Sequence, residues 1–267
     1  MSTNASSSSP SANVPPSADV IPNSLPAATA QAQAAVQAAL KDGYTRIQVE
    51  MAIPEIKHQP IAEQFLETFT DQQFKVFFPD AGAAALARRD WGNPDFVVRG
   101  LGELVTPIEP DDDLYLIVNP SSIEVATVES MCNEAADRPV VLLNPQLEDV
   151  AIVGIGYAAR QLRERFLSQI ETCYYVRPLE GAVVYRCYPS PWQIWRESEP
   201  DEYEWVSDVA SRPSGEDIDR ILGGESVANA SSESDDSDGS AANKPKAGGR
   251  KKGLIAELQQ FLKALSQ

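Results

Sequence analysis

The chain has few of the side chains that metal centres and acid–base catalysts use: one histidine, His58, and three cysteines in 267 residues. One histidine is too little for a histidine-based zinc site, and no nucleophile stands at a recognisable spacing from a base. Positive charge is scarce too, with 22 lysines and arginines against 39 acids for a formal charge of −17. Nucleic-acid binding needs a basic stripe on the folded surface, so nucleic acid is not an expected partner of the folded part. Long apolar runs are missing. The longest, Val150 to Ala159, is broken by Gly154 and Gly156 and falls short of the ~18 residues a transmembrane helix requires. The first residues lack both the basic-then-apolar pattern of a secretory signal and the arginines of a transit peptide. A soluble, cytoplasmic chain with reduced cysteines is expected.

What is present is a core's worth of apolar residues, 43% of the chain, which suits one domain with extensions. Charge is unevenly spread: −1 over residues 1–40, −9 over 41–196, −12 over 197–240 and +5 over 241–267. Residues 1–23, rich in Ser, Ala and Pro, read as a disordered segment. Residues 24–222 carry the hydrophobic patterning of a domain, 223–250 form a flexible acidic linker, and 251–267 a basic amphipathic helix.

Within the domain, helix-period and strand-like segments alternate. Ser24-Leu25-Pro26 opens an Ala/Gln helix to Leu40, and Arg46 to Met51 alternates as a strand. Helices follow over Pro60–Phe69, Ala81–Trp91, Ile123–Ala136 (capped by Ser121 or Ser122) and Gly156–Ile170. Strands are expected at Phe74–Phe78, Phe96–Val98, Leu114–Val118 and Val140–Leu143. Cys173–Val176, Ala182–Tyr188 and Gln193–Arg196 then lie close together, as in antiparallel pairing. The predicted class is α/β: a three-layer, mainly parallel Rossmann-like sheet with an antiparallel hairpin at one edge.

Four strands end in proline beside a polar residue: Ile53-Pro54-Glu55, Phe78-Pro79-Asp80, Asn119-Pro120-Ser121 and Asn144-Pro145-Gln146. Ligands of open α/β sheets bind beyond the carboxyl ends of the strands, so Glu55, Asp80, Asn119 and Asn144 are the candidate ligand-binding residues. The same residue types also serve as turns and helix caps. Val153 to Ala159 matches GxGxxA, but no ribose-binding acid ends the next strand; a glycine-softened turn competes with a dinucleotide loop. His58 reads as a surface residue, and Asp111-Asp112-Asp113 as a solvated turn rather than a Mg²⁺ site. Cys173 and Cys187 flank a turn at Leu179-Glu180-Gly181. A three-residue loop opposes them, and a two-residue loop offsets them by one. No catalytic residue, metal or cofactor is predicted.

Near the carboxyl end, Arg250, Lys251 and Lys252 precede an apolar stripe of Leu254, Ile255, Leu258, Phe261, Leu262 and Leu265. This stripe suits docking on its own domain, a protein groove, an anionic membrane or self-association.

The segments Phe77 to Trp91 (FFPDAGAAALARRDW), Leu142 to Asp149 (LLNPQLED) and Gly181 to Trp192 (GAVVYRCYPSPW) resemble the DUF1995 family of cyanobacteria and plastids. The likeness covers roughly residues 40–222. It implies a photosynthetic source and similarity to a low-photosystem-II-accumulation assembly factor group. Another plant relative is appended to a chloroplast adenylate kinase, but no GxxxxGK[ST] loop stands in this chain, so kinase activity is not carried over. The expectation is a non-enzymatic accessory factor in photosystem II assembly or thylakoid biogenesis, with an assembly protein or client subunit as partner. Peripheral thylakoid contact would run through the C-terminal helix. The alternative is an α/β enzyme or sensor that binds a nucleotide or phosphorylated metabolite at the strand ends.

Overall fold

The first helix, α1 (Leu25–Lys41), starts at Ser24, whose hydroxyl accepts a hydrogen bond from the Ala27 amide. Pro26 sits in its first turn, where amides have no intrahelical acceptor and a missing N–H costs little. The buried face, Ala28, Ala32, Ala35, Val36 and Ala39, is a stripe of small side chains at helical spacing, so the helix lies close on the sheet. The structure, a computed structural model, describes residues 20–103, 108–148 and 157–224. Ile21, ahead of α1, is already buried.

Strands and helices then alternate: β1 (Arg46–Met51), α2 (His58–Leu66), β2 (Phe74–Phe78), α3 (Ala81–Asp90), β3 (Val97–Gly100), β4 (Leu114–Val118), α4 (Val125–Ala135), β5 (Val140–Leu143), α5 (Tyr157–Arg165) and β6 (Glu171–Leu179). These strands are parallel to one another in the order β3-β2-β4-β5-β1-β6. Beyond β6 the sheet continues antiparallel with β7 (Ala182–Cys187), β8 (Trp192–Glu199) and β9 (Glu202–Val209), and α6 (Gly215–Leu222) follows.

Right-handed crossovers explain the layers. The chain steps outward from β1 to β2 and β3 through α2 and α3, which share one face with α1 and cover Val49, Val76, Leu116, Leu143 and Val176. It returns through β4, β5 and β6, so α4 and the end of α5 cover the opposite face on Phe77, Tyr115, Ile117 and Leu142. β4 and β5 are buried along their whole length, as strands covered on both sides must be. Ile218 and Ile221 of α6 close over Tyr175, Val184, Trp192 and Ile194 of the antiparallel part. The architecture is the expected three-layer, mainly parallel α/β sheet.

Two local features, the cap of α4 and the burial of Asp112, differ from expectation. Nine of the fourteen acids between residues 197 and 240 lie at or before Asp219, in β8, β9, α6 and their loops. Glu202, Glu204 and Asp208 point outward along the edge strand β9, where charge discourages pairing with another sheet. Neither Ser121 nor Ser122 caps α4; its N-cap is Glu124, whose carboxylate turns back to accept from the Ser121 amide and hydroxyl. Asp112 is buried against Lys75, so the acidic run is only partly solvated. Leu179 pairs with Ala182, so the β6–β7 loop has two residues and Cys187 opposes Tyr174 rather than Cys173. None of the three cysteines is disulfide-bonded.

Candidate functional site

β1 leaves the sheet toward one edge over one face, while its neighbour β5 leaves toward the other edge over the opposite face. β2 and β4 diverge in the same way. Diverging connections open a crevice beyond the carboxyl ends of such a pair, because neither crossover covers it. The β1/β5 crevice holds a cavity of about 360 Å³, at the lower end of the ~300–1,000 Å³ typical of small-molecule sites. It is lined by residues 50–56, His58 and Asn144 to Gln146.

Asn144 anchors this cavity. Its backbone is left-handed (φ 49°), a conformation asparagine tolerates better than most side chains. Its Oδ1 accepts the Met51 amide at 2.6 Å, which ties the end of β5 to the end of β1. The side chain is 5% exposed, and its Nδ2 is buried with no acceptor. Asn119 repeats the conformation (φ 50°) at the end of β4, with its Oδ1 buried and unpaired. The Asn119 backbone N–H donates to the Leu143 carbonyl at 2.7 Å. The two orphaned atoms, a donor and an acceptor, thus lie at the ends of adjacent strands without bonding each other. Glu55, also left-handed (φ 58°), stands exposed at the cavity mouth.

Asp80 lies at the other crevice, where it caps α3 by accepting the Ala83 amide at 2.9 Å. Gly100 makes this corner possible: a Cβ there would lie 2.5 Å from the Ala81 nitrogen, so only glycine lets β3 end beneath α3. Of the four residues expected at the strand ends, the fold therefore brings Glu55 and Asn144 into one cavity. Asn119 sits at the neighbouring strand end, and Asp80 serves as a helix cap.

Three further lining residues, Glu50, His58 and Gln146, were not among the expected site residues, and His58, read as a surface residue, is half-buried here. Gln146 stands two places past Asn144. His58, half-buried, stands three residues past Glu55 in the same connection, the one signal that marks it. Burial lowers the pKa of its imidazole, because desolvation disfavours the cation. Glu50 is bound by Arg212 through two hydrogen bonds of 2.9 and 3.0 Å. The same guanidinium stacks over the Tyr175 ring at 4.4 Å and donates to the Tyr175 hydroxyl. Glu50 and Arg212 are 162 positions apart, so no local pattern announces the pair.

Elsewhere, burial pushes the Cys132 thiol up to about 11 and Cys173 higher still, so neither is a ready nucleophile. No group of three or more metal-ligating side chains occurs among the described residues, and no helix there is long and apolar enough to cross a membrane. The stripe from Lys251 to Leu265 and the glycines of the GxGxxA segment lie outside the described residues. The chain matches the domain of unknown function DUF1995 over residues 22–220, from ahead of α1 into α6, which takes in the nine strands of the described residues. Because that match takes in most of the chain, the protein belongs to the DUF1995 family.

Proposed function

We propose that this domain binds a small molecule in the cavity between the carboxyl ends of β1 and β5. The observation that carries the reading is Asn144: a buried residue lining a ligand-sized cavity, its side chain held by one bond to Met51 and its Nδ2 without an acceptor. An unmet buried donor costs about 1–3 kcal/mol, and an acceptor on a ligand offsets that cost. Binding rather than catalysis is proposed, since the described lining residues include no Ser, Thr, Cys or Lys nucleophile and Glu50 is held by Arg212. A thermal-shift screen of the full chain against metabolites tests this. A ligand at a hundred times its Kd adds about 2.7 kcal/mol, which is a rise of roughly 5–10 °C for a domain of this size. Asp80→Ala should leave that rise intact, and a metabolite library that moves nothing overturns the reading.

A second reading, an accessory role in photosystem II assembly at a thylakoid surface, is supported by the tail. Its apolar stripe follows Arg250, Lys251 and Lys252, a pairing suited to an anionic bilayer or a partner groove. Deleting residues 250–267 should then move the protein from the membrane fraction to the soluble one. Unchanged fractionation counts against this role.

A further inference from the structure

We propose that the occupant of the β1/β5 cavity is a small organic cation that also carries a hydrogen-bond acceptor: an ammonium or guanidinium compound with a carbonyl or hydroxyl oxygen. The proposal rests on the small-molecule reading above and names the ligand class.

Charge supplies the first half of the argument. Among the described lining residues there is no lysine or arginine, while two carboxylates, Glu50 and Glu55, are present. Glu50 is neutralised by Arg212, which occupies both of its oxygens. Glu55 has no hydrogen bond or ion pair among the described residues, and its backbone is held left-handed at the mouth. The site therefore presents one uncompensated negative charge to an incoming molecule. A phosphate placed there meets Glu55 with no cation to balance it, whereas an ammonium group gains an ion pair.

Hydrogen bonding supplies the second half. Oδ1 of Asn144 is committed to the Met51 amide, which fixes which end of the side-chain amide faces away from β1. The remaining Nδ2 is a donor, so the group it calls for is an acceptor. A cationic nitrogen has no lone pair to offer, and the ligand must carry both features. Of these two lining residues Asn144 is buried and Glu55 exposed, which sets the acceptor inward and the cation outward.

Isothermal titration of the full chain separates the alternatives with three probe sets: lysine amide and 4-aminobutyramide (cation plus carbonyl), hexanamide (carbonyl alone), and AMP with glycerol 3-phosphate (anions). The expected result is heat of binding from the first set, weaker binding of hexanamide and none from the phosphates. Glu55→Gln, an exposed and nearly isosteric change, should weaken the first set about fivefold and leave hexanamide unchanged. Binding of phosphates in preference to amines overturns the ligand class while leaving the cavity a binding site. Amine binding that Glu55→Gln does not weaken also overturns the class. Silence from all three sets, together with a flat metabolite screen, overturns the binding reading itself.

Discussion

Replacing Lys75 by methionine should destabilise the fold by about 3–5 kcal/mol, the cost of stripping one partner from a buried ion pair. Lys75 is the second residue of β2, and its side chain is 7% exposed. The ammonium lies 2.8 Å from both the Asp112 and the Glu109 carboxylates. Asp112 is 9% exposed and also accepts from the Tyr115 hydroxyl at 3.0 Å and the Glu109 amide at 2.8 Å. Methionine matches the lysine stem in volume but leaves the Asp112 charge with neutral donors only. Glu109, 59% exposed, keeps water and loses little. Chemical denaturation reads the effect. Adding Asp112→Asn to Lys75→Met should recover part of the loss, since the amide still accepts both bonds and carries no charge. A single variant that loses less than about 1 kcal/mol would show that water reaches Asp112 and that the pair is not load-sharing in the core.

Asn144→Ala should cost about 2–5 kcal/mol, and Asn144→Gly about 1–2 kcal/mol less. Both substitutions orphan the buried Met51 amide, worth about 1–3 kcal/mol. Alanine also has to adopt φ near +49°, which costs a Cβ-bearing residue about 1–2 kcal/mol and glycine almost nothing. The difference between the two variants therefore reads the backbone conformation, and their common loss reads the hydrogen bond. Both should also lose ligand-induced stabilisation, because the Nδ2 donor is gone. Equal stabilities for the two variants would mean that the end of β5 relaxes out of the left-handed conformation.

Much of the fold was legible because its signals are local. Arg46–Met51, Phe74–Phe78, Leu114–Val118 and Val140–Leu143 are expected and observed with the same boundaries, since apolar runs bounded by turn residues read as strands without tertiary help. β9 was missed because an edge strand has one open side and needs few apolar residues; its Glu202, Glu204 and Asp208 interrupt any apolar run. Asp112 was misread for the opposite reason. Three consecutive aspartates describe a solvated turn until the fold places Lys75, 37 positions away, beside the middle one.

The candidate site divides along the same line. The proline-flanked strand ends named Glu55, Asp80, Asn119 and Asn144, and the α/β alternation placed them at one end of the sheet. Which of them share a cavity depends on strand order. That order sets β5 beside β1 and β4 beside β2, so that neighbouring strands depart in opposite directions. Sequence by itself determined the α/β class, the family resemblance, the carboxyl-end residues and the scarcity of metal ligands, because composition and short-range period carry that information. Only the tertiary structure decided that the Nδ2 of Asn144 lacks an acceptor, that Arg212 neutralises Glu50, and that Asp80 is a helix cap. Each of these depends on which atoms the winding of the sheet brings within hydrogen-bond reach.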